Sequence, residues 1–229
     1  IQKLPSYSEV SNNKKLFAKA FSLQHKNQYS KNPSVIYQKH YNSFVIQNKT
    51  ATPLTTSELD MIYSLPFERN YHPKYTKMGG VPALEEVKFS ITSHRGCIGG
   101  CSFCSLNFHQ GKGIQKRSKK SIIDEAKTLT NLPDFKGYIH DVGGPTANFR
   151  NACCKSGSDF NSCGKSSCLS PVACSNLEVN HSEYLEILRE LRKIPGIKKI
   201  FIRSGIRYDY LMLDKNDSFF WELCKHHIS

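Results

Sequence analysis

The chain has 229 residues, of which 38% are hydrophobic, and a formal charge of +13. It can therefore bury a core, and its composition is not that of a disordered segment. No apolar run approaches the ~18 residues a membrane span needs. The N-terminus, Ile1-Gln2-Lys3-Leu4-Pro5, has neither an initiator Met nor the apolar stretch of a secretory signal. These features point to a cytoplasmic protein with no membrane partner, and the missing Met to a segment of a longer one. The positive charge fits an anionic partner such as nucleic acid. The lysines, however, are spread along the chain in short pairs, such as Lys14-Lys15, Lys119-Lys120 and Lys198-Lys199, which fits a plain lysine-rich surface equally well.

Residues 1–84 read as an irregular lead-in. Val10, Phe17 and Phe21 share one helix face. Residues 34–48 alternate like a hairpin that turns at Tyr41-Asn42-Ser43. Thr55 and Glu58 form a capping box for a helix that stops before Pro66, and Gly79-Gly80 and Pro82 then break the chain. From residue 85 the pattern changes to strand and helix in turn. The spacing predicts a strand over 86–92, then a Gly- and Cys-rich loop. A helix follows, capped by Ser121 with Asp124, and carries Ile122, Ala126 and Leu129 on one face. A second strand over 137–142 leads into Gly143-Gly144-Pro145, and an irregular cysteine-bearing insert occupies about 149–178. A helix marked by Tyr184, Leu188 and Leu191 ends at Pro195-Gly196, a third strand covers 199–204, and Asp217 or Ser218 caps a last helix bearing Phe219, Phe220, Leu223 and Cys224. This order predicts an α/β fold with parallel strands whose ligands lie on the loops after the strand ends. Three such strands cannot close a barrel, so an open or incomplete sheet is expected over 85–229.

Nine cysteines are many for this length. Cys97, Cys101 and Cys104 fall in the pattern CxxxCxxC on a glycine-rich loop just after a predicted strand. Thiolates are the usual ligands of iron–sulfur clusters. Gly96, Gly99 and Gly100 let the backbone turn tightly around a bulky group. Three ligands for four irons leave one iron open, as a catalytic metal requires. The rival is a structural zinc site that borrows His94 or His109.

CxxxCxxC with Phe103 before the last cysteine resembles the signature of the radical S-adenosylmethionine (SAM) superfamily, and the chain is most similar to its YgiQ-type branch. That likeness rests on Ser93-His-Arg-Gly-Cys, Gly99-Gly-Cys-Ser-Phe-Cys, His109-Gln-Gly, Gln115-Lys-Arg-Ser, Asp141-Val-Gly-Gly-Pro-Thr-Ala-Asn and Ser204-Gly-Ile-Arg-Tyr-Asp. Upstream, Pro53-Leu-Thr-Thr, Tyr71-His-Pro and Met78-Gly-Gly-Val-Pro-Ala also belong to it. The resemblance implies a partial (β/α) barrel and a [4Fe–4S] cluster on Cys97, Cys101 and Cys104. It implies reductive cleavage of SAM to a 5′-deoxyadenosyl radical that acts on a substrate left open by the likeness. It also implies an electron donor such as flavodoxin or ferredoxin. SAM contacts then fall on Phe103, on the backbone of Gly143, Gly144 and Pro145, and on Ser204 and Arg207. Pro145 stands where the superfamily often has Glu, so a side-chain contact is missing. Arg207 either reads a carboxylate with its planar fork or simply pairs with Asp209. Asp141 either reaches the pocket or caps a loop.

Cys154, Cys163, Cys168 and Cys174 form a second group within the insert. The insert is too poor in apolar residues to fold on a core of its own, which favours a bound metal. A four-thiolate zinc and a second [4Fe–4S] cluster both fit. Cys153 is spare, and Cys224 reads as a buried apolar residue. The competing function is a metal-stabilised nucleic-acid-binding module without catalysis; such modules pair their cysteines as CxxC…CxxC, which the triad does not.

Overall fold

The computed structural model describes residues 1–157 and 163–227. Its elements follow local chemistry. Strand β1 (Gln2–Lys3) is followed by helices α1 (Tyr7–Asn12) and α2 (Lys14–Gln28), which are separate because the Asn13 side chain caps α2 by accepting from the amides of Lys15 and Leu16. The face expected from Val10, Phe17 and Phe21 is not core. Phe17 and Phe21 are exposed, and the buried residue of α2 is Ala20. The hairpin is present as β2 (Ile36–His40) and β3 (Ser43–Gln47), turning at Tyr41, whose φ is 51°. It forms a three-stranded sheet with β1, which pairs in parallel with β2. Helix α3 (Thr56–Tyr63) starts at the capping box of Thr55 and Glu58.

The strand expected over 86–92 is shorter. Pro82 sits at a helix N-terminus, where its fixed φ and missing N–H cost nothing, and α4 (Pro82–Val87) takes the first part of that stretch. Strand β4 covers only Ser90–Thr92, and β5 is His94–Arg95. After the cysteine loop come α5 (Leu106–Gln110), β6 (Gln115–Lys116) and α6 (Lys119–Thr130). Helix α6 begins one turn earlier than the sequence suggested. Its cap is Ser118, whose side chain accepts from the amide of Ser121.

The chain from Tyr138 to Gly143 is the centre of the parallel arrangement. Strand β7 (Tyr138–Ile139) and strand β8 (Asp141–Gly143) meet at His140, and β8 pairs in parallel with β4. A short antiparallel pair, β9 (Cys153–Cys154) with β10 (Leu177–Glu178), brackets the insert. Helix α7 (Ser182–Arg192) then leads to β11 (Lys199–Ile200), which pairs in parallel with β7. Only two residues of the stretch expected over 199–204 join the ladder. The chain ends in α8 (Tyr208–Leu211), α9 (Ser218–Glu222) and a π-turn to His227. The result is mixed α/β with small sheets, and no helix among the described residues is long and apolar enough to cross a membrane.

The main core lies between these parallel strands and helices α6 and α7. Ile122, Ala126 and Leu129 from α6 meet Tyr184, Leu188 and Leu191 from α7 over Ile91, Ile139, Val142 and Ile200. This is the helical period of about 3.6 residues applied to burial. Cys224, expected inside, is exposed; the wide π-turn over Leu223–His227 buries Leu223 and His227 instead.

Three histidines are buried within this frame. Burial, with help from the nearby Arg150 charge, lowers His94 to about 3. Burial also lowers His181 and His227, against the opposing pull of Asp214 on the first and of the Ile200 carbonyl on the second. An unfolded histidine takes up its proton near ~6.5. Between that pH and the lower folded values the unfolded chain binds more protons, so stability is full above ~6.5 and falls as the pH drops below it. The urea midpoint is expected to decline steadily from pH 7 to pH 5, with about 1.4 kcal/mol per pH unit as the limit for each histidine. A midpoint that is flat over this interval would contradict the neutral buried state.

Candidate functional site

The loop over 96–105 follows β4 and β5, and its shape depends on glycine. Gly96 has φ +88° and lies so close to the 111–114 segment that a Cβ would stand 2.0 Å from the Gly113 carbonyl oxygen. Gly100 has φ +60° and presses on Ser166 and Ser167. The amide of Cys97 donates to the Gly111 carbonyl at 3.1 Å, and that of Cys104 to the Cys101 carbonyl at 3.1 Å. Cys97 is buried, whereas Cys101 and Cys104 are half-buried. Burial pushes the Cys97 thiol up. Hydrogen bonds to the Gly99 backbone and the Thr146 side chain pull it down, and the charges of Cys101 and Cys104 raise it again. The three sulfurs are thus close enough to feel one another, and Ser102 and Phe103 between the last two are exposed.

The loops after the other parallel strands meet this one. After β8, Gly143-Gly144-Pro145 runs against the root of the cysteine loop: the Ser93 amide donates to the Gly143 carbonyl at 2.6 Å. A Cβ on Gly144 would lie 2.7 Å from the His94 carbonyl oxygen. Thr146 then reaches Cys97. After β11, the Ala147 amide donates to the Gly205 carbonyl at 3.0 Å. Arg207 Nη1 lies 3.2 Å from Cys101 Sγ, while its Nε donates to Asp209 Oδ1 at 2.9 Å and its Nη2 contacts Asp209 Oδ2. The two alternatives posed for Arg207 are therefore compatible: the aspartate holds the guanidinium, and the guanidinium faces the thiol. Hydrogen bonding to Asp209 raises its pKa further, so it is a fixed cation. Asn148 fastens the backbone beneath it, its Oδ1 accepting from the Arg207 amide at 2.9 Å and its Nδ2 donating to the Arg207 carbonyl at 3.1 Å.

Several residues singled out in the sequence sit elsewhere. Phe103 is 92% exposed on the loop. Asp141 caps the third loop: it accepts from the amides of Arg203 and Ser204 at 2.8 and 3.1 Å and from Ser204 Oγ at 3.1 Å. Ser204 thereby packs on Gly143. Of the arginines in the Ser93-His-Arg-Gly-Cys and Gln115-Lys-Arg-Ser runs, Arg117 lies inside the fold on Glu125, Ser121 and the Tyr63 ring, and Arg95 is exposed. Sequence reasoning missed Thr146, Asn148 and the buried Arg150. The first two lie within the 141–148 run already noted; Arg150 carried no local signal.

The second cysteine group also comes together. Cys154, Cys163, Cys168 and Cys174 line one cavity of about 220 Å³, with Lys31 and Lys165 at its edge. Cys153 does not join them. Neighbouring residues of a strand point to opposite faces, and Cys153 Sγ instead donates to Glu178 Oε2 at 3.2 Å. Among the described residues, no three His, Cys, Asp or Glu side chains converge as they would on a single metal ion.

Residues 1–90 match the family described as Radical SAM N-terminal. Over 226 residues the chain is 58% identical to a UPF0313 protein of Clostridium botulinum strain Okra, covering 99% of this chain and 35% of that protein. It is 52% identical over 226 residues to UPF0313 proteins of two Clostridium perfringens strains, ATCC 13124 and 13, covering 99% of this chain and 34% of each of them. The chain spans about a third of the length of these relatives.

Proposed function

We propose that this chain, which carries a radical SAM N-terminal region and is homologous to UPF0313 proteins along nearly its whole length, holds a [4Fe–4S] cluster on Cys97, Cys101 and Cys104 and belongs to an enzyme that uses it on SAM. The observation that carries this reading is the meeting of the three loops: Arg207 reaches Cys101, Thr146 reaches Cys97, and Gly144 abuts the root of the cysteine loop. The donor set fits the group. Three thiols on a turn permitted only by glycine offer three ligands for four irons, and a cation stands beside one of them.

When bound, such a cluster would supply the one electron needed for reductive cleavage of SAM. The chain's own residues bind and orient. Arg207, held by Asp209 and Asn148, offsets negative charge at Cys101. Gly143 and Gly144 let backbone carbonyls approach the amino group of SAM without a side chain in the way. Ser204, fixed through Asp141, lies beside Gly143 and is suited to a hydroxyl or carboxylate of the same ligand. Phe103, exposed on the cysteine loop, is available to stack on the adenine. A low-potential flavodoxin or ferredoxin in a reducing cytoplasmic compartment would deliver the electron.

The test uses the full-length protein, reconstituted anaerobically with iron and sulfide and given dithionite and SAM. Wild type is expected to form 5′-deoxyadenosine, and Cys101→Ala to form none above the protein-free control. Product from Cys101→Ala at the wild-type level would remove the cluster from this loop.

A further inference from the structure

The insert between β8 and α7 carries four cysteines that the SAM-directed chemistry leaves without a task. They are spread over residues 154–174 of an irregular segment, yet all four line the same cavity. Backbone hydrogen bonds set them there. The Lys155 amide donates to the Asn176 carbonyl at 2.8 Å, closing the β9–β10 end, and the Cys174 amide donates to the Cys168 carbonyl at 2.8 Å. Two ammonium groups face the sulfurs. Lys112, 1% exposed, donates from Nζ to Cys163 Sγ at 3.2 Å and also hydrogen-bonds Cys168, while Lys165 Nζ stands 3.8 Å from Cys174 Sγ. Lys112 Nζ also donates to the Lys165 carbonyl at 2.7 Å. Metal-bound cysteines are thiolates, and the two ammonium groups would offset part of their charge.

The geometry points to a second [4Fe–4S] cluster ligated by Cys154, Cys163, Cys168 and Cys174, which the protein coordinates completely. Size decides against zinc. A structural zinc draws four sulfurs to within about 2.3 Å of one point and leaves no space between them. Here the four cysteines line a cavity of about 220 Å³, more room than one ion with its four sulfurs would leave. A cluster takes each cysteine on a different iron, so its ligands surround a volume. Four protein ligands leave no open iron, so this cluster takes up electrons and does not bind SAM. It also lies against the first loop: the Cys168 amide donates to the Ile98 carbonyl at 3.0 Å, and Ser167 Oγ donates to the Gly99 carbonyl at 2.7 Å.

The inference stands apart from the SAM reading, and one set of preparations separates the two. The full-length protein is reconstituted anaerobically as wild type, as Cys97→Ala/Cys101→Ala/Cys104→Ala, and as Cys154→Ser/Cys168→Ser. Iron, sulfide and zinc are counted, and electron paramagnetic resonance spectra are taken after dithionite, with and without SAM. The triple variant is expected to keep about four irons and four sulfides, with a reduced signal that SAM does not change. The double variant should hold about four irons fewer than wild type, and Cys153→Ala should match wild type. The inference is overturned if the double variant holds as much iron as wild type, if a soluble triple variant holds none, or if the four sulfurs carry one zinc in place of iron. Wild type with about four irons, all kept in the triple variant, would sink the first site and leave this one standing.

Discussion

Arg150→Met is expected to lower the unfolding free energy of the protein by about 3 kcal/mol or more. Arg150 is 1% exposed. Its Nη1 donates to the Ser93 carbonyl at 2.6 Å, and its Nη2 to the Arg117 carbonyl at 2.6 Å and to Glu183 Oε1 at 2.9 Å. Burial pulls its pKa down while Glu183 pushes it up, and it remains charged at neutral pH. Methionine matches the length but donates nothing. The Arg117 carbonyl then loses its partner at about 1–3 kcal/mol, and the Ser93 carbonyl loses its shorter bond while keeping the Arg117 amide at 3.1 Å. Glu183 retains Lys116 and Asn151, so the carboxylate adds less than an orphaned buried charge would. Urea denaturation measures the difference. A change below about 1 kcal/mol would mean that water or relaxation replaces these bonds. Because Ser93 and Arg117 flank the cysteine loop at either end, the same variant should also bind less iron at that loop.

Such a residue marks where the sequence ceases to be readable. Helices α6 and α7 were legible because burial repeats every three or four residues along them, and Thr55 with Glu58 announced α3 through a local hydrogen-bond pattern. The four-cysteine cavity was legible as a spacing, since thiols clustered in a core-poor insert have few other reasons to be there. Local reasoning misplaced the α6 cap by one turn because Ser118 and Ser121 are both competent caps, and only the packing of α3 chooses: Asp60 Oδ1 accepts the Ser118 amide at 2.9 Å. It read 86–92 as a strand because alternation outweighed Pro82 as a helix start. Arg150 and Lys112 escaped altogether. A charged residue in a polar stretch looks like surface, and only the tertiary fold brings the Ser93 and Arg117 carbonyls around Arg150 and the Cys163 thiol and Lys165 carbonyl around Lys112. The exposure of Phe103 and Cys224 is the converse case, in which residue type suggested contact and the turn geometry faced the side chain outward.

Gly144→Ala is expected to lower stability by about 1–3 kcal/mol and to weaken SAM binding severalfold while leaving the cluster's iron content near normal. The reason is space. Gly144 has an ordinary φ, so alanine strains no backbone angle there. Its Cβ would instead stand 2.7 Å from the carbonyl oxygen and Cε1 of His94 and 2.8 Å from its Nε2. The carbonyl belongs to a strand paired with β6, and the imidazole is fully buried, so neither can rotate out of the way. The strain must move either the Gly143–Pro145 segment or the root of the loop that carries Cys97. Gly205→Ala gives the comparison: its Cβ would meet nothing within 4 Å, but its φ is +86°. That variant should cost about 1–2 kcal/mol through backbone conformation alone. The two substitutions then differ in kind. At Gly205 the loss is one of stability, and SAM affinity follows only as far as folding does. At Gly144 the displaced atoms are those proposed to meet the amino group of SAM, so affinity should fall more than stability explains. Equilibrium dialysis of SAM against the reconstituted variants, at a temperature where both are fully folded, reads this directly. Equal SAM affinity in wild type and Gly144→Ala would detach the Gly143–Pro145 segment from the ligand and leave it a structural turn.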